Sequence, residues 1–393
     1  MPDRPTIRLK PREGRRARAG APWIFSNEIV MDASAKSLPP GSLVNVVGDD
    51  GRSFGAGTFN PGTLIAVRLL DAPVAMEIDC EFLARRLGHA LAVRQALFDA
   101  PYYRLVHAEG DFLPGLVIDR FGETLVVQIA TAGMELLLDP LLEALDRVIA
   151  PQCVVLRADV PLRALEGLPL YSRVAKGHQS SQLHVEENGA RYFADPTAGQ
   201  KTGWYYDQRD NRAFVARLAA GRSVLDAYCY TGGFAILAAR SGAREVSGID
   251  SSAPALRLAE EAAIANGAAC RFVKSDVMEE LERLANAGET FDVVIADPPP
   301  FVPARKDLEA GAHAYRKLAR LAAGTTRAGG YVALASCSYN MPADRFAQEC
   351  AIGIARAGRR GALIRQAGAG PDHPVNPMLP ESSYLKTLVY ALD

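Results

Sequence analysis

A few short segments of the sequence carry side chains whose types and spacing could do chemistry. Leu225-Asp226 runs through Ala-Tyr-Cys-Tyr230-Thr231 into Gly232-Gly233-Phe. Paired glycines let backbone approach a bound molecule, although a tight strand-to-helix turn has the same composition. A second acid, Asp250, follows 24 residues after Asp226, where a carboxylate can accept two ribose hydroxyls. Together these residues specify a nucleoside-bearing ligand. No Lys-Ser/Thr pair follows the glycines, which argues against a triphosphate. Lys274-Ser275-Asp276 offers a carboxylate to an adenine amino group, to a helix N-cap, or to both. Asp297-Pro298-Pro299-Pro300-Phe301 holds an acid on a stiff loop with few backbone donors. Ser336-Cys337-Ser338 places a thiol where a strand should end; a lone cysteine is more often a small buried hydrophobe, but this position favours a reactive role.

Those segments need elements that aim them at one place. After Asp195 the pattern alternates strand and helix, as in a mainly parallel α/β sheet. The predicted strands are Ser223–Asp226, Glu245–Ile249, Arg271–Val273, Phe291–Ala296 and Tyr331–Ala335, with two more near Ala362–Ile364 and Leu385–Tyr390. Ligands of such sheets lie beyond the carboxyl ends of the strands, and every segment above falls there. If the fourth and fifth strands are neighbours, about 4.8 Å apart, Asp297 and Cys337 open onto one cleft.

The rest of the chain reads differently. Residues 1–72 predict a small β domain, with Leu43–Val47 and Leu64–Leu70 as strands between Pro/Gly/Asn turns. Residues 71–73 form a linker, and 76–195 an α+β domain. In it, a helix over 79–97 precedes strands Gly115–Asp119 and Leu125–Ile129, a helix over 134–149 and a short strand Val154–Leu156. The stretch 159–182 has no clear period. Asn188-Gly189 between Leu183–Val185 and Arg191–Phe193 predicts a hairpin.

Composition limits the function classes. The 393 residues carry 49% hydrophobic and 23% charged side chains, an ordinary globular balance. There is no apolar run of membrane-spanning length and no secretory apolar core near the first residues, so the expected location is the cytoplasm. The six cysteines are at least 13 residues apart with no Cys-x-x-Cys pair, which suggests reduced thiols and neither a zinc site nor a disulfide framework. A net charge of −1 gives no global footprint for nucleic acid. The first twenty residues nevertheless carry an excess of +5, from Arg4, Arg8, Lys10, Arg12, Arg15, Arg16 and Arg18 against Asp3 and Glu13.

The strand-end set resembles class I S-adenosylmethionine-dependent methyltransferases, and more closely the bacterial 23S rRNA cytosine-5 methyltransferases of the RlmI type. Besides Asp297-Pro-Pro-x-Phe301 and Ser336-Cys-Ser338, the matching pieces are Pro22–Ser26, Gly110–Gly122, Lys201–Asp210, Tyr230–Phe234, Asp372-His373-Pro374 and Tyr384-Leu385-Lys386. They span nearly the whole chain in order. The resemblance implies a PUA-like RNA-binding domain (1–72), a central domain (76–195) and a Rossmann-like seven-stranded methyltransferase domain (196–393). It implies cofactor contacts from Lys201, Thr202, Gly203, Asp207, Gln208, Arg209, Asp226, Tyr230, Thr231, Gly232, Gly233, Asp250, Ser251, Asp276, Asp297 and Pro298. RNA contacts are expected from Pro299, Phe301, Arg12, Arg15, Arg16 and Trp23. The expected partner is 23S ribosomal RNA, free or partly assembled; no membrane is implied, and a homodimer is entertained. Family members usually carry Lys after the two prolines, where Pro300 stands here, so no role for that lysine transfers.

Carbon 5 of cytosine is a poor nucleophile and needs covalent activation at C6, for which Cys337 is the candidate thiolate. Asp297 in its protonated form can engage N3 and the amino group. The base that takes the C5 proton is unassigned among His313, Tyr339, His373 and water. Three other readings compete. An exocyclic-amine or guanine-N7 methyltransferase has no use for Cys337, a non-catalytic RNA-binding assembly factor has no use for the intact carboxylates, and a small-molecule enzyme has no use for the long β-rich extension.

Overall fold

The computed structural model describes residues 3–196, 199 and 202–393. The chain forms two compact units that are interleaved in sequence. The first takes residues 1–181, 195–204 and 371–382; the second takes 182–194, 205–370 and 383–393.

Two five-stranded sheets build the first unit. One orders its strands Thr6–Arg8, Ser42–Val47, Ser53–Phe59, Ile65–Ala72, Trp23–Phe25. Val44, Val46, Phe59, Ala66 and Val67 close a core with Ile7, Leu9, Ile24 and Ile29. The other sheet orders Tyr171–Lys176, Cys153–Ala158, Thr124–Ile129, Leu116–Phe121, Tyr102–His107. Helices Cys80–Leu97 and Leu138–Val148 contribute Leu83, Leu87, Leu141 and Leu145 to its core. The single helix expected over 134–149 is two, Ala132–Leu136 and Leu138–Val148. Pro140 has no N–H to offer the carbonyl of Leu136, so a continuous helix breaks there and the proline settles in a first turn.

The strand Tyr102–His107 was not legible in the sequence, because Arg104 and His107 interrupt its apolar pattern. Both are buried all the same. Arg104 makes a bidentate pair with Asp119 at 2.8 and 2.9 Å, and Asp111 accepts from the His107 backbone N–H. Asp372 accepts from the Arg104 backbone N–H, and Arg94 bonds both Asp111 and the Asp372 carbonyl. Two motif pieces far apart in sequence, Gly110–Gly122 and Asp372-His373-Pro374, therefore meet in one buried charged network of the first unit.

The second unit contains the seven-stranded sheet, whose strands are β1 (Ser223–Ala227), β2 (Glu245–Asp250), β3 (Arg271–Lys274), β4 (Phe291–Ala296), β5 (Thr326–Ser336), β6 (Gly361–Ala367) and β7 (Lys386–Leu392). Their order is β3-β2-β1-β4-β5-β7-β6. Strands β1 to β5 are parallel, and β7 runs antiparallel between β5 and β6. Both faces of the sheet are buried, as parallel strands require. Val224, Val293, Ile295, Ala333 and Val389 enter one core, while Leu225, Val294, Ala296, Val332, Leu334 and Leu388 enter the other. The order reverses between β1 and β4, which opens a crevice at their carboxyl ends. The Asn188-Gly189 hairpin forms as expected, with both residues at positive φ (53° and 73°). It groups with this unit, where its buried Glu187 pairs with Arg212 at 2.7 Å.

Candidate active site

Strand β1 delivers Asp226 into the interior, 1% exposed, with Oδ2 accepting from the Ala235 backbone N–H at 2.9 Å. Burial pushes its carboxyl up to about 7; the Asp297 and Asp250 charges add to this, and the Ala235 bond and Arg212 oppose it. The loop that follows turns through Tyr228 (φ 66°), Tyr230 (φ 50°) and Gly232 (φ 81°). Left-handed backbone at two tyrosines costs about 1–2 kcal/mol each and signals a shape maintained for a purpose. Gly232 is the N-cap of the helix Gly233–Arg240. At Gly233 the space that a Cβ would fill is taken by the Arg212 side chain at 2.6 Å, so close packing against Arg212 is itself a reason for a glycine there.

Strand β2 ends on Asp250, half-buried. Its Oδ2 accepts from the Tyr230 N–H at 2.9 Å and its Oδ1 from the Ser252 N–H at 2.8 Å. Each oxygen keeps a second lone pair, the requirement for receiving a pair of ribose hydroxyls. Ser251 is exposed beside it. Asp276, also exposed, caps the helix Val277–Asn286 by accepting from the Glu279 N–H at 3.0 Å, which leaves its second oxygen for an adenine amino group.

The register of β4 against β5 pairs Ala296 with Leu334. Asp297 and Cys337 accordingly leave neighbouring strand ends, and the Cys337 thiol lies 3.9 Å from the Pro298 carbonyl. The Ser-Cys-Ser pattern has a physical explanation. Along an extended chain successive side chains alternate, so the two serines share one face. Both meet the buried Tyr315 hydroxyl, Ser336 at 2.9 Å and Ser338 at 2.8 Å, and Ser338 also accepts from the Val302 N–H. Cys337, between them, takes the other side. Tyr315 thereby fastens the loop after β4 to the end of β5, with Phe301 tilted on its ring at 4.8 Å. Pro298 is buried, whereas Pro299 and Pro300 are exposed. Burial pushes the thiols of Cys229, Cys270 (to about 12) and Cys350 up, which disfavours their thiolate forms.

A side-chain relay places Asp297. The Gln208 carboxamide donates to Asp297 at 2.9 Å and accepts from Asn211 at 2.8 Å, and Asn211 donates onward to Thr387 on β7. Asp207 is buried against the Tyr384 hydroxyl. The Arg209 guanidinium lies over the Tyr206 ring at 5.5 Å.

Of the residues expected at the site, Asp207, Gln208, Arg209, Asp226, Tyr230–Gly233, Asp250, Ser251, Asp276, Asp297–Pro299, Phe301 and Cys337 all fall within the second unit. Lys201 lies outside the described residues. Thr202 and Gly203 are buried parts of the first unit, where the Thr202 hydroxyl donates to Asp119. The expected RNA contacts near the first residues have partners of their own. Arg16 is bidentate to Glu381 at 2.9 and 3.1 Å, and the Trp23 indole donates to Glu109 at 2.9 Å. Arg12 and Arg15 are exposed.

Three features of the second unit were missed in the sequence. Asn211 was passed over as an ordinary amide, and Gln208 was expected to touch the cofactor, not to hold Asp297. Lys386 donates from Nζ to the Ser338 and Met341 carbonyls at 2.6 and 3.0 Å. A groove of about 290 Å³ is lined by His313, Arg316, Lys317, Arg320 and Arg356; the spacing 313, 316, 317, 320 along the helix Leu308–Gly324 was the available signal.

The crevice fits an S-adenosyl cofactor on its own chemistry. Asp226 Oδ1 and Thr231 Oγ1 are buried with no hydrogen-bond partner, a costly arrangement that a ligand bearing amino and hydroxyl groups would relieve. Two family models match the chain: a PUA-like domain over residues 7–72 and an S-adenosylmethionine-dependent methyltransferase over 173–352. The Ribosomal RNA large subunit methyltransferase I of Shewanella amazonensis is 37% identical over 391 residues, 98% of each chain.

The chain belongs to that family.

It is an S-adenosylmethionine-dependent methyltransferase with a PUA-like domain ahead of its catalytic unit, and S-adenosylmethionine is its cofactor. The fold is shared with a putative SAM-dependent methyltransferase from Streptococcus mutans (TM-score 0.82, 19% identity, 98% of this chain and 100% of that one). It is shared equally with a putative methyltransferase crystallised as an SAH complex (TM-score 0.84, 20% identity, 98% and 100%). Among the described residues, no helix is long and apolar enough to cross a membrane.

Proposed function

We propose that this methyltransferase acts on C5 of a cytosine in large-subunit (23S) ribosomal RNA through a covalent adduct with Cys337. The observation that carries the reading is the pairing of a thiol with a carboxylate: Cys337 at the ligand edge of β5, against the Pro298 carbonyl, beside Asp297. An enzyme for an exocyclic amine has no use for that thiol. The relatives are named as methyltransferases of large-subunit ribosomal RNA, which supplies the RNA.

S-adenosylmethionine, when bound, supplies an electrophilic methyl group. The chain's own residues make cytosine reactive. The Cys337 thiolate donates its lone pair to C6, and the displaced C5–C6 pair makes C5 the nucleophilic centre. Asp297, held by Gln208 and protonated once the base is bound, donates to N3 and balances the charge that builds on the ring. When the C5 proton leaves to a base or water, the C6–S bond breaks and the thiolate is regenerated. A base stacked in a duplex cannot present C6 to a thiol, so the target is single-stranded or flipped out, with Phe301 beside it. Arg12, Arg15, Arg16 and Trp23 would serve recognition of the RNA, and the basic groove along helix Leu308–Gly324 could hold phosphate as well. The division of labour is recognition over 1–72, connection over 76–195 and chemistry over 196–393. Contacts to the cofactor would come from the strand-end residues of the second unit.

The test is Cys337→Ala with large-subunit RNA and labelled cofactor, read by nucleoside mass spectrometry. The wild type should yield 5-methylcytidine, and the variant should lose at least about 10³-fold in rate while binding cofactor normally. Full activity in the variant sinks the covalent mechanism. Label in 6-methyladenosine or 7-methylguanosine moves the assignment to another base.

A further inference from the structure

Thiolate formation at Cys337 faces an electrostatic obstacle. The crevice is lined by carboxylates: Asp207, Asp226, Asp250 and Asp297 all belong to it, and the Tyr205 hydroxyl, pushed up mainly by burial, also feels the charges of Asp207, Asp297 and Cys337 together. Tyr315, on the far side of Ser336 and Ser338, is a neutral phenol held up by burial. The loop from Asp297 to Ala304 carries no cation. A thiol among such groups is disfavoured as an anion, and reactive cysteines depend on nearby positive charge or helix termini.

Strand β7 brings that charge. Its first residue, Lys386, is the direct cross-strand partner of Ser336, the residue before the thiol. The side chain is half-buried, and its ammonium group donates to the carbonyls of Ser338 and Met341 at 2.6 and 3.0 Å. Those two bonds fix the nitrogen beside the turn that carries Cys337 and leave one N–H for another acceptor. Neither acceptor is a carboxylate, so the anchoring does not consume the charge.

We propose that Lys386 is a positioning residue whose ammonium group holds Cys337 as the thiolate. The inference rests on the reading of Cys337 as the nucleophile. Burial lowers the Lys386 pKa to about 8, and the Cys337 charge works in the opposite direction. At neutral pH the ammonium form prevails, and it is lost as pH rises above about 8. The thiolate is therefore supported below that value, the region in which an ordinary cysteine near 8.5 would still be protonated.

The test measures the thiol itself. Iodoacetamide alkylation of the full-length protein is followed across pH 5–10 on the Cys337 peptide by mass spectrometry, in the wild type, Lys386→Gln, Lys386→Met and Lys386→Arg. Lys386→Gln keeps a donor for the two carbonyls without the charge, so it separates electrostatics from folding. The expected result is a midpoint raised by at least about one pH unit in Lys386→Gln and Lys386→Met. Lys386→Arg should recover most of the shift, and S-adenosylmethionine affinity should be unchanged throughout. A midpoint unmoved in Lys386→Gln, with cofactor binding intact, overturns the proposal. Retained methylation in Cys337→Ala would instead overturn the nucleophile reading, and the thiol titration would still report whether Lys386 tunes that sulfur.

Discussion

The two banks of the crevice are built by opposite means. On the cofactor bank, carboxylates are fixed by main chain: Asp226 by the Ala235 N–H, Asp250 by those of Tyr230 and Ser252, Asp276 by that of Glu279. On the thiol bank, the reacting groups are fixed by side chains from remote parts of the second unit. Gln208 holds Asp297, Tyr315 holds both serines around Cys337, and Lys386 spans the turn that follows. Main-chain donors survive every substitution but proline and suit a task shared by many methyltransferases. Side-chain supports can change one at a time, and they surround Asp297 and Cys337.

Variants on the two banks should accordingly fail differently. Asp250→Ala should have the largest effect. Two charge-assisted bonds to ribose are worth about 1.5–3 kcal/mol each, so cofactor affinity measured by calorimetry should fall by about 100-fold or more. Retention of affinity would show that Asp250 only buttresses the loop. Gln208→Leu should leave cofactor affinity within about twofold and lower kcat by roughly tenfold, because it releases Asp297 without touching the β1 and β2 ends. Equal losses in both measurements would erase the distinction between the banks. Asp226→Asn should have the smallest effect, visible in stability more than in turnover. The buried Asp226 carboxyl titrates near 7 against 3.8 when exposed. The folded state therefore binds the extra proton between those values, and stability falls as pH rises through that window. The full contribution is present below about 4 and lost by about 7, so the variant should flatten the decline of Tm over pH 4–7 in the cofactor-free protein. An unchanged slope would assign the pH dependence to other groups.

The same contrast explains what could be read from the sequence. The carboxylates and glycines of the cofactor bank follow their own strands by fixed short intervals, so strand ends alone locate Asp226, Gly232, Asp250 and Asp276. Asp297 and Cys337 were found in the same way. Their supports were not, because Tyr315 and Lys386 come from other elements and Gln208, expected at the cofactor, shows its bond to Asp297 only in the folded unit. In the first unit, Tyr102–His107 was invisible for a related reason: Arg104 and His107 look like surface residues until Asp119 and Asp111 are brought to them. The basic segment near the first residues looked more available than it is, since Glu381 and Glu109 lie far off in sequence and engage Arg16 and Trp23.

The place of β7 bears on how the protein is made. It follows β6 in the chain but lies between β5 and β6, so β6 has no neighbour in the sheet until β7 arrives. During synthesis from the amino end, the thiol, the proline loop and the carboxylate crevice can all be in place while Lys386, and the Thr387 hydroxyl that ends the Gln208 relay, are still missing. An unfinished chain would thus expose Cys337 before Lys386 and the Gln208 relay are beside it. If Cys337 is the nucleophile, its priming waits on the last strand of the sheet.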